Sequence, residues 1–99
     1  MKIGRMRRKV KMKTINYETY IPVNSMVSGK TVRRVENESG LKISQVHNGL
    51  ITPETCILPA PNMVLRPGMA VKVCGINRRE FEKFRKVIFT RVIDGKEVY

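Results

Sequence analysis

The sequence predicts an α+β fold, a small and largely antiparallel sheet carrying two helices in β-α-β-β-β-α order. Three observations predict it. Runs of β-branched, aromatic or alternating apolar residues lie at 14–23, 41–46 and 69–74. The segment 77–89 joins a helix-start signature to apolar residues at helical spacing. Between them Pro53, Pro59, Pro61 and Pro67 exclude a long regular element.

Thr14 to Val23 reads as the first strand, closed by Pro22. A short helix is expected from Gly29 to Asn37, capped by Ser28, with Val32 and Val35 on one face and Gly40 as the left-handed terminator. Leu41 to Val46 is the next strand, with Leu41 and Ile43 alternating against Lys42 and Ser44. Asn48-Gly49 has the composition of a two-residue type I′ turn, with Leu50-Ile51-Thr52 as the return strand. Cys56-Ile57-Leu58 is a further short extended piece. Arg66-Pro67-Gly68 turns the chain into Met69–Cys74, where Met69, Val71 and Val73 face one way and Ala70, Lys72 and Cys74 the other. Asn77 and Glu80 have capping-box spacing, and Ile76 and Phe81 that of a hydrophobic staple. The helix that follows places Phe81, Phe84 and Ile88 on one face and ends near Val87 or Phe89. A last hairpin turns through Asp94-Gly95.

Ninety-nine residues, 41% of them hydrophobic, suffice for one modest core and no second one. No run approaches the roughly 18 apolar residues of a membrane helix, and the first residues lack a secretory h-region. A soluble, cytoplasmic protein is therefore expected. Cys56 and Cys74 are too few and too far apart for a disulfide scaffold or zinc site, and read as reduced core residues. One histidine and no acidic cluster leave nothing to hold a metal.

The net charge of +12 is unevenly spread. Residues 1–13 hold seven bases (Lys2, Arg5, Arg7, Arg8, Lys9, Lys11, Lys13) and no acid, whereas the rest holds 13 bases and 8 acids, a net of +5. The chain divides accordingly into a flexible basic arm over 1–13, a folded domain over 14–90 and a tail or short hairpin over 91–99. Arg5, Arg7, Arg8, Lys9, Lys11 and Lys13 can contact nucleic acid or an anionic membrane surface, and the same charge also describes a solvated tail.

Chemistry-bearing motifs are absent. Ser28-Gly29-Lys30-Thr31 ends like a P-loop, but Asn24 stands where the motif's first glycine must be. His47 precedes a turn, where an exposed polar side chain is expected, and neither cysteine has neighbours that would activate it. The reading is a protein that is not an enzyme. A basic nucleic-acid-binding protein, or an accessory domain of a DNA-binding regulator, is the alternative, with Arg78, Arg79, Lys83, Arg85 and Lys86 on the second helix. Its aromatics fall on the apolar stripe, however, where they pack rather than stack on bases.

From Val27 to Val87 the chain resembles the TrkA C-terminal, or RCK C-terminal, domain family. The residues that carry the resemblance are Ser28-Gly29-Lys30-Thr31-Val32, Gly40 through Gly49, Val64 through Gly75 and the closing helix from Asn77. The connection from Asn48 to Pro67 resembles the longer form found in aspartate:alanine-exchanger-like transporters. The resemblance implies a regulatory, ligand-sensing domain that forms a homodimer and is coupled to potassium or other ion transport, through a transporter or channel subunit. It needs no cofactor. It implies a small anionic ligand, such as a cyclic dinucleotide, at a site where Ile43 and Ser44 match an apolar pair and His47 the adjacent base.

Overall fold

A computed structural model describes residues 13–99. The arm expected over 1–13 therefore lies outside the described residues, except for Lys13, which is exposed. The elements are β1 (Ile15–Tyr20), α1 (Val32–Ser39), β2 (Gln45–Asn48), a 3-10 turn (Pro53–Thr55), β3 (Cys56–Ile57), β4 (Met69–Ile76), α2 (Arg78–Phe89), β5 (Arg91–Ile93) and β6 (Lys96–Val98). The first four strands form one antiparallel sheet in the order β1-β4-β2-β3, and β5-β6 form a separate hairpin. The α+β reading holds.

Two apolar helix faces and one apolar sheet face make the core. Val46, Val71 and Val73 from the sheet join Val32, Val35, Phe84 and Ile88 from the helices, and Leu41, Ile43 and Leu65 from connections. Tyr17 stacks edge-on against Phe81, with ring centres 4.9 Å apart, and anchors β1 to α2.

α2 forms as its sequence predicts. Asn77 Oδ1 accepts from the Glu80 amide at 2.8 Å, while Glu80 Oε1 accepts from the Asn77 amide at 2.9 Å. Two orphan donors are thereby satisfied. The helix runs to Phe89, where the Thr90 amide donates to the Lys86 carbonyl.

α1 starts later than expected. Its cap is Thr31, whose Oγ1 accepts from the Arg34 amide at 3.2 Å, and not Ser28. Tertiary pairing delays the helix: Gly29 donates to the Leu65 carbonyl, Leu65 to that of Lys30 and Val32 to that of Met63. Thr31 is thus bridged antiparallel to Val64, with Lys30 and Val32 bonded on either side to Leu65 and Met63, and propensity yields to long-range pairing. Gly40 does terminate the helix, at φ 74°.

The strand expected over Leu41–Val46 is displaced to Gln45–Asn48. Leu41 and Ile43 are buried, as their alternation requires. The Ile43 amide, however, donates to the Glu36 carboxylate at 2.7 Å and ties this stretch to α1 instead of a ladder. The Asn48-Gly49 hairpin does not form either. Asn48 stays in β2, which pairs with Cys56–Ile57, and residues 50–52 belong to the intervening loop. The C-terminal hairpin does form, with Asp94 and Gly95 at φ 51° and 78°, the two positive values a type I′ turn needs. The cysteines are exposed rather than buried: Cys56 lies on the edge strand and Cys74 points away from the helices.

Candidate functional site

Period-two alternation gives the sheet a second face. In register, Glu18, Lys72 and Gln45 form one row across β1, β4 and β2, and Tyr20, Ala70, His47 and Cys56 form the next. Their neighbours Val46, Val71 and Val73 point to the helices, so these two rows point away. Glu18, Gln45, His47, Ile51, Thr52, Cys56 and Lys72 line an open cleft of about 460 Å³ on that side.

The loop after β2 makes the cleft's wall, and two hooks hold it there. The Ile51 amide donates to the Tyr20 hydroxyl at 3.3 Å. Thr55 Oγ1 lies 3.0 Å from His47 Nδ1. The Thr55 hydroxyl has one proton, which goes to the carbonyl of Leu50 or Thr52, and the oxygen also accepts from the Thr52 amide. Toward His47 it therefore acts as acceptor, so the network assigns Nδ1 as a donor.

That assignment turns Nε2 toward Glu18, whose Oε2 is 3.4 Å away. Oε2 is buried and has no hydrogen-bond partner among the described residues. The cleft thus holds a buried carboxylate oxygen that an N–H or O–H, of a ligand or of the facing ring, would satisfy. Lys72 supplies a cation and Gln45 an amide beside it. Among the described residues, no three of His, Cys, Asp and Glu come together as metal ligands.

His47 is buried, 5% exposed, and not the exposed pre-turn residue the sequence predicts. Burial follows from its register between Ala70 and Cys56, under the loop. Of the other residues named from the resemblance, Ile43 is sealed in the core. Ser44 is half-buried and donates to the Lys72 carbonyl at 2.9 Å, next to Cys74 at 3.3 Å. Only His47 of the three lines the cleft. Arg5, Arg7, Arg8, Lys9 and Lys11 lie outside the described residues. Sequence reasoning missed Glu18, Gln45, Thr52, Thr55 and Lys72. The alternation of Glu18 against Tyr17 and Thr19, and of Lys72 against Val71 and Val73, was the available signal.

No family model matches the chain, and no curated protein does. Solved structures do. The dimeric RCK_C domain of S. agalactiae BusR in complex with c-di-AMP superposes with a TM-score of 0.59 at 18% identity, over 74% of this chain and 93% of that one. The fold is that of an RCK C-terminal domain. BusR bound to its busAB-promotor DNA gives the same TM-score and identity, and the RCK_C-like chain spans 35% of that length. The GsuK channel matches at a TM-score of 0.56 and 18% identity, over 76% of this chain and 13% of the channel. At such identity the likeness is one of fold. No helix among the described residues is long and apolar enough to cross a membrane.

Proposed function

We propose that this chain is a non-catalytic regulatory domain that pairs with a second copy and senses a small polar ligand for an ion transporter or channel at the cytoplasmic side of the membrane. Residues 14–90 form the sensing unit, with 91–99 an appended hairpin. The observation that carries the reading is the RCK_C fold, shared with the c-di-AMP-bound BusR domain over most of both chains. The open polar cleft supports it, since the unpartnered Glu18 Oε2 offers an acceptor and Lys72 a cation to a phosphate. A cyclic dinucleotide carries both kinds of group, amino and hydroxyl donors and phosphate anions. Cyclic di-AMP is accordingly the first ligand to try.

Titration calorimetry with cyclic di-AMP, alongside light scattering of the purified chain, tests this. The expected result is a dimer that binds the nucleotide, with affinity falling about tenfold in Lys72→Ala, the scale of one lost charged contact. A chain that remains monomeric at about 100 μM, or one whose melting temperature does not move at ligand concentrations near 1 mM, overturns the pairing or the ligand respectively.

A further inference from the structure

The polar cleft has one orphan acceptor and two sources of a donor for it. Glu18 Oε2 is buried and unpartnered among the described residues. It lies 3.4 Å from Nε2 of His47, the chain's single histidine. The His47 side chain is only 6% exposed, and its ring cannot turn away without breaking the 3.0 Å contact of Nδ1 with Thr55 Oγ1.

Thr55 fixes which nitrogen can change state. Its own proton is committed to a loop carbonyl, so its oxygen accepts from Nδ1. A neutral ring therefore carries its hydrogen on Nδ1 and leaves Nε2 bare. A second proton enters only at Nε2, the atom that faces Glu18. Histidine is the side chain whose charge ordinarily changes between about pH 5 and 8.

The groups around the ring decide what that proton does. Glu18 faces it from β1 and is the only acid among the described residues that line the cleft. Lys72 on β4 stands directly opposite Glu18 in register, yet no ion pair joins the two. Cys56 is the ring's neighbour on β3, Ala70 on β4 is apolar, and Glu54 of the loop is exposed. The Tyr20 hydroxyl is engaged by the Ile51 amide.

Resting on the reading of this cleft as a ligand site, we infer that His47 is a proton-operated latch on it. With the ring neutral, Glu18 Oε2 is open to an N–H or O–H of the ligand. With the ring charged, Nε2–H donates to Glu18 Oε2, and the acceptor is taken from inside the protein. The charged ring also cancels the carboxylate's charge, which favours a phosphate at Lys72. The cleft is open to water, however, where such a field is heavily screened. The hydrogen bond is made at an oxygen removed from solvent, where it counts for more. Loss of the acceptor prevails, and ligand affinity falls as the pH falls.

Calorimetry with cyclic di-AMP at about pH 8 and about pH 5.5, near the two ends of histidine's range, tests the latch. Nitrogen-15 spectra of the lone histidine ring in the ligand-free chain accompany it. The wild type should bind about tenfold more weakly at the lower pH, the scale of one linked proton, and should release protons on binding. His47→Asn keeps a donor for Thr55 and has none for Glu18, so its affinity should change little with pH. His47→Gln, which offers Glu18 an amide N–H, should bind weakly at both values. Equal wild-type affinities, tighter binding at the lower pH, or full pH dependence in His47→Asn overturns the inference. The ring spectra decide without any ligand. Nδ1 should carry the proton at the higher pH, and the Nε2–H that appears at the lower one should exchange with water more slowly than in Glu18→Ala. A proton on Nε2 at the higher pH, or equal exchange in the two chains, overturns the latch. Cyclic di-AMP that binds at neither pH, beside ring spectra as expected, overturns the ligand proposed above and upholds the latch.

Discussion

The two faces of one sheet are built from the same strands and have opposite chemistry. Val46, Val71 and Val73 face the helices and are fully buried, while their immediate neighbours Gln45, His47 and Lys72 face a polar cleft. The first set stabilises by removing apolar area from water, about 25 cal/mol for each Å². The second contributes hydrogen bonds whose net worth is about 1 kcal/mol apiece, and leaves one buried carboxylate oxygen unpartnered. Apolar packing and polar chemistry are thus segregated across the thickness of a single sheet. Residues of the cleft can change without emptying the core.

The strongest way to break this contrast is to cut one residue from the core that the inner face packs against and one from the cleft face. Phe84→Ala removes a fully buried ring that Tyr17 meets edge-on. It should cost about 3–5 kcal/mol, a large share of the stability of a domain of this size. Lys72→Ala on the other face should change stability by less than about 0.5 kcal/mol. Urea unfolding followed by circular dichroism measures both, and a Lys72→Ala variant as unstable as Phe84→Ala would abolish the distinction.

His47 tests how separate the faces are, because it belongs to the polar side and is nonetheless buried. His47→Ala removes the ring that holds Thr55 and leaves Ala70 uncovered between Tyr20 and an empty position. A loss of about 1–3 kcal/mol is expected. Amide exchange should accelerate over residues 49–55 while β4 stays protected, the mark of a local opening. Acceleration throughout β4 would mean that His47 supports the core itself. The Asn77→Ala change ranks next. It removes half of the capping box, and a loss of about 1 kcal/mol by the same unfolding experiment is expected.

What was legible in the sequence follows the range of the forces involved. The α2 cap, the Gly40 terminator and the Asp94-Gly95 turn are contained within four or five residues, and all three form. The α+β class and the helix-facing valines of β4 follow from periodicity, and they too form. Readings fail where distant residues decide. The start of α1 is set by Met63 and Leu65, thirty residues away, and Asn48 is drawn into β2 by Met69 and its neighbours. Alternation separated Lys72 from the valines, but only the meeting of β1, β4 and β2 sets Glu18, Lys72 and Gln45 in one row. The cleft is a tertiary object. His47 was legible as a residue and not as a buried one, because its cover comes from a loop whose fold depends on Thr55.

The smallest effect belongs to neither face and calibrates the other predictions. On the solvent side of α1, Glu38 accepts from Lys30 Nζ at 2.8 Å and from Arg34 Nε at 3.2 Å. The Lys30 hydrogen bond is the main cause that lowers the Glu38 carboxyl below its ordinary 4.5, with Arg34 adding to it. A carboxyl held low in the folded state favours folding while it is ionised. Its contribution is therefore present at and above pH 4.5 and is lost as the pH falls below that through the folded-state value. The pair is largely solvated, so the effect should be only about 0.3–0.5 kcal/mol and should shrink in salt. Glu38→Gln should accordingly lower the melting temperature slightly at neutral pH and converge with wild type as the pH falls below 4.5 and the Glu38 carboxyl takes up its proton. A constant gap across that range would show that Glu38 acts through packing or helix propensity, and not through its charge.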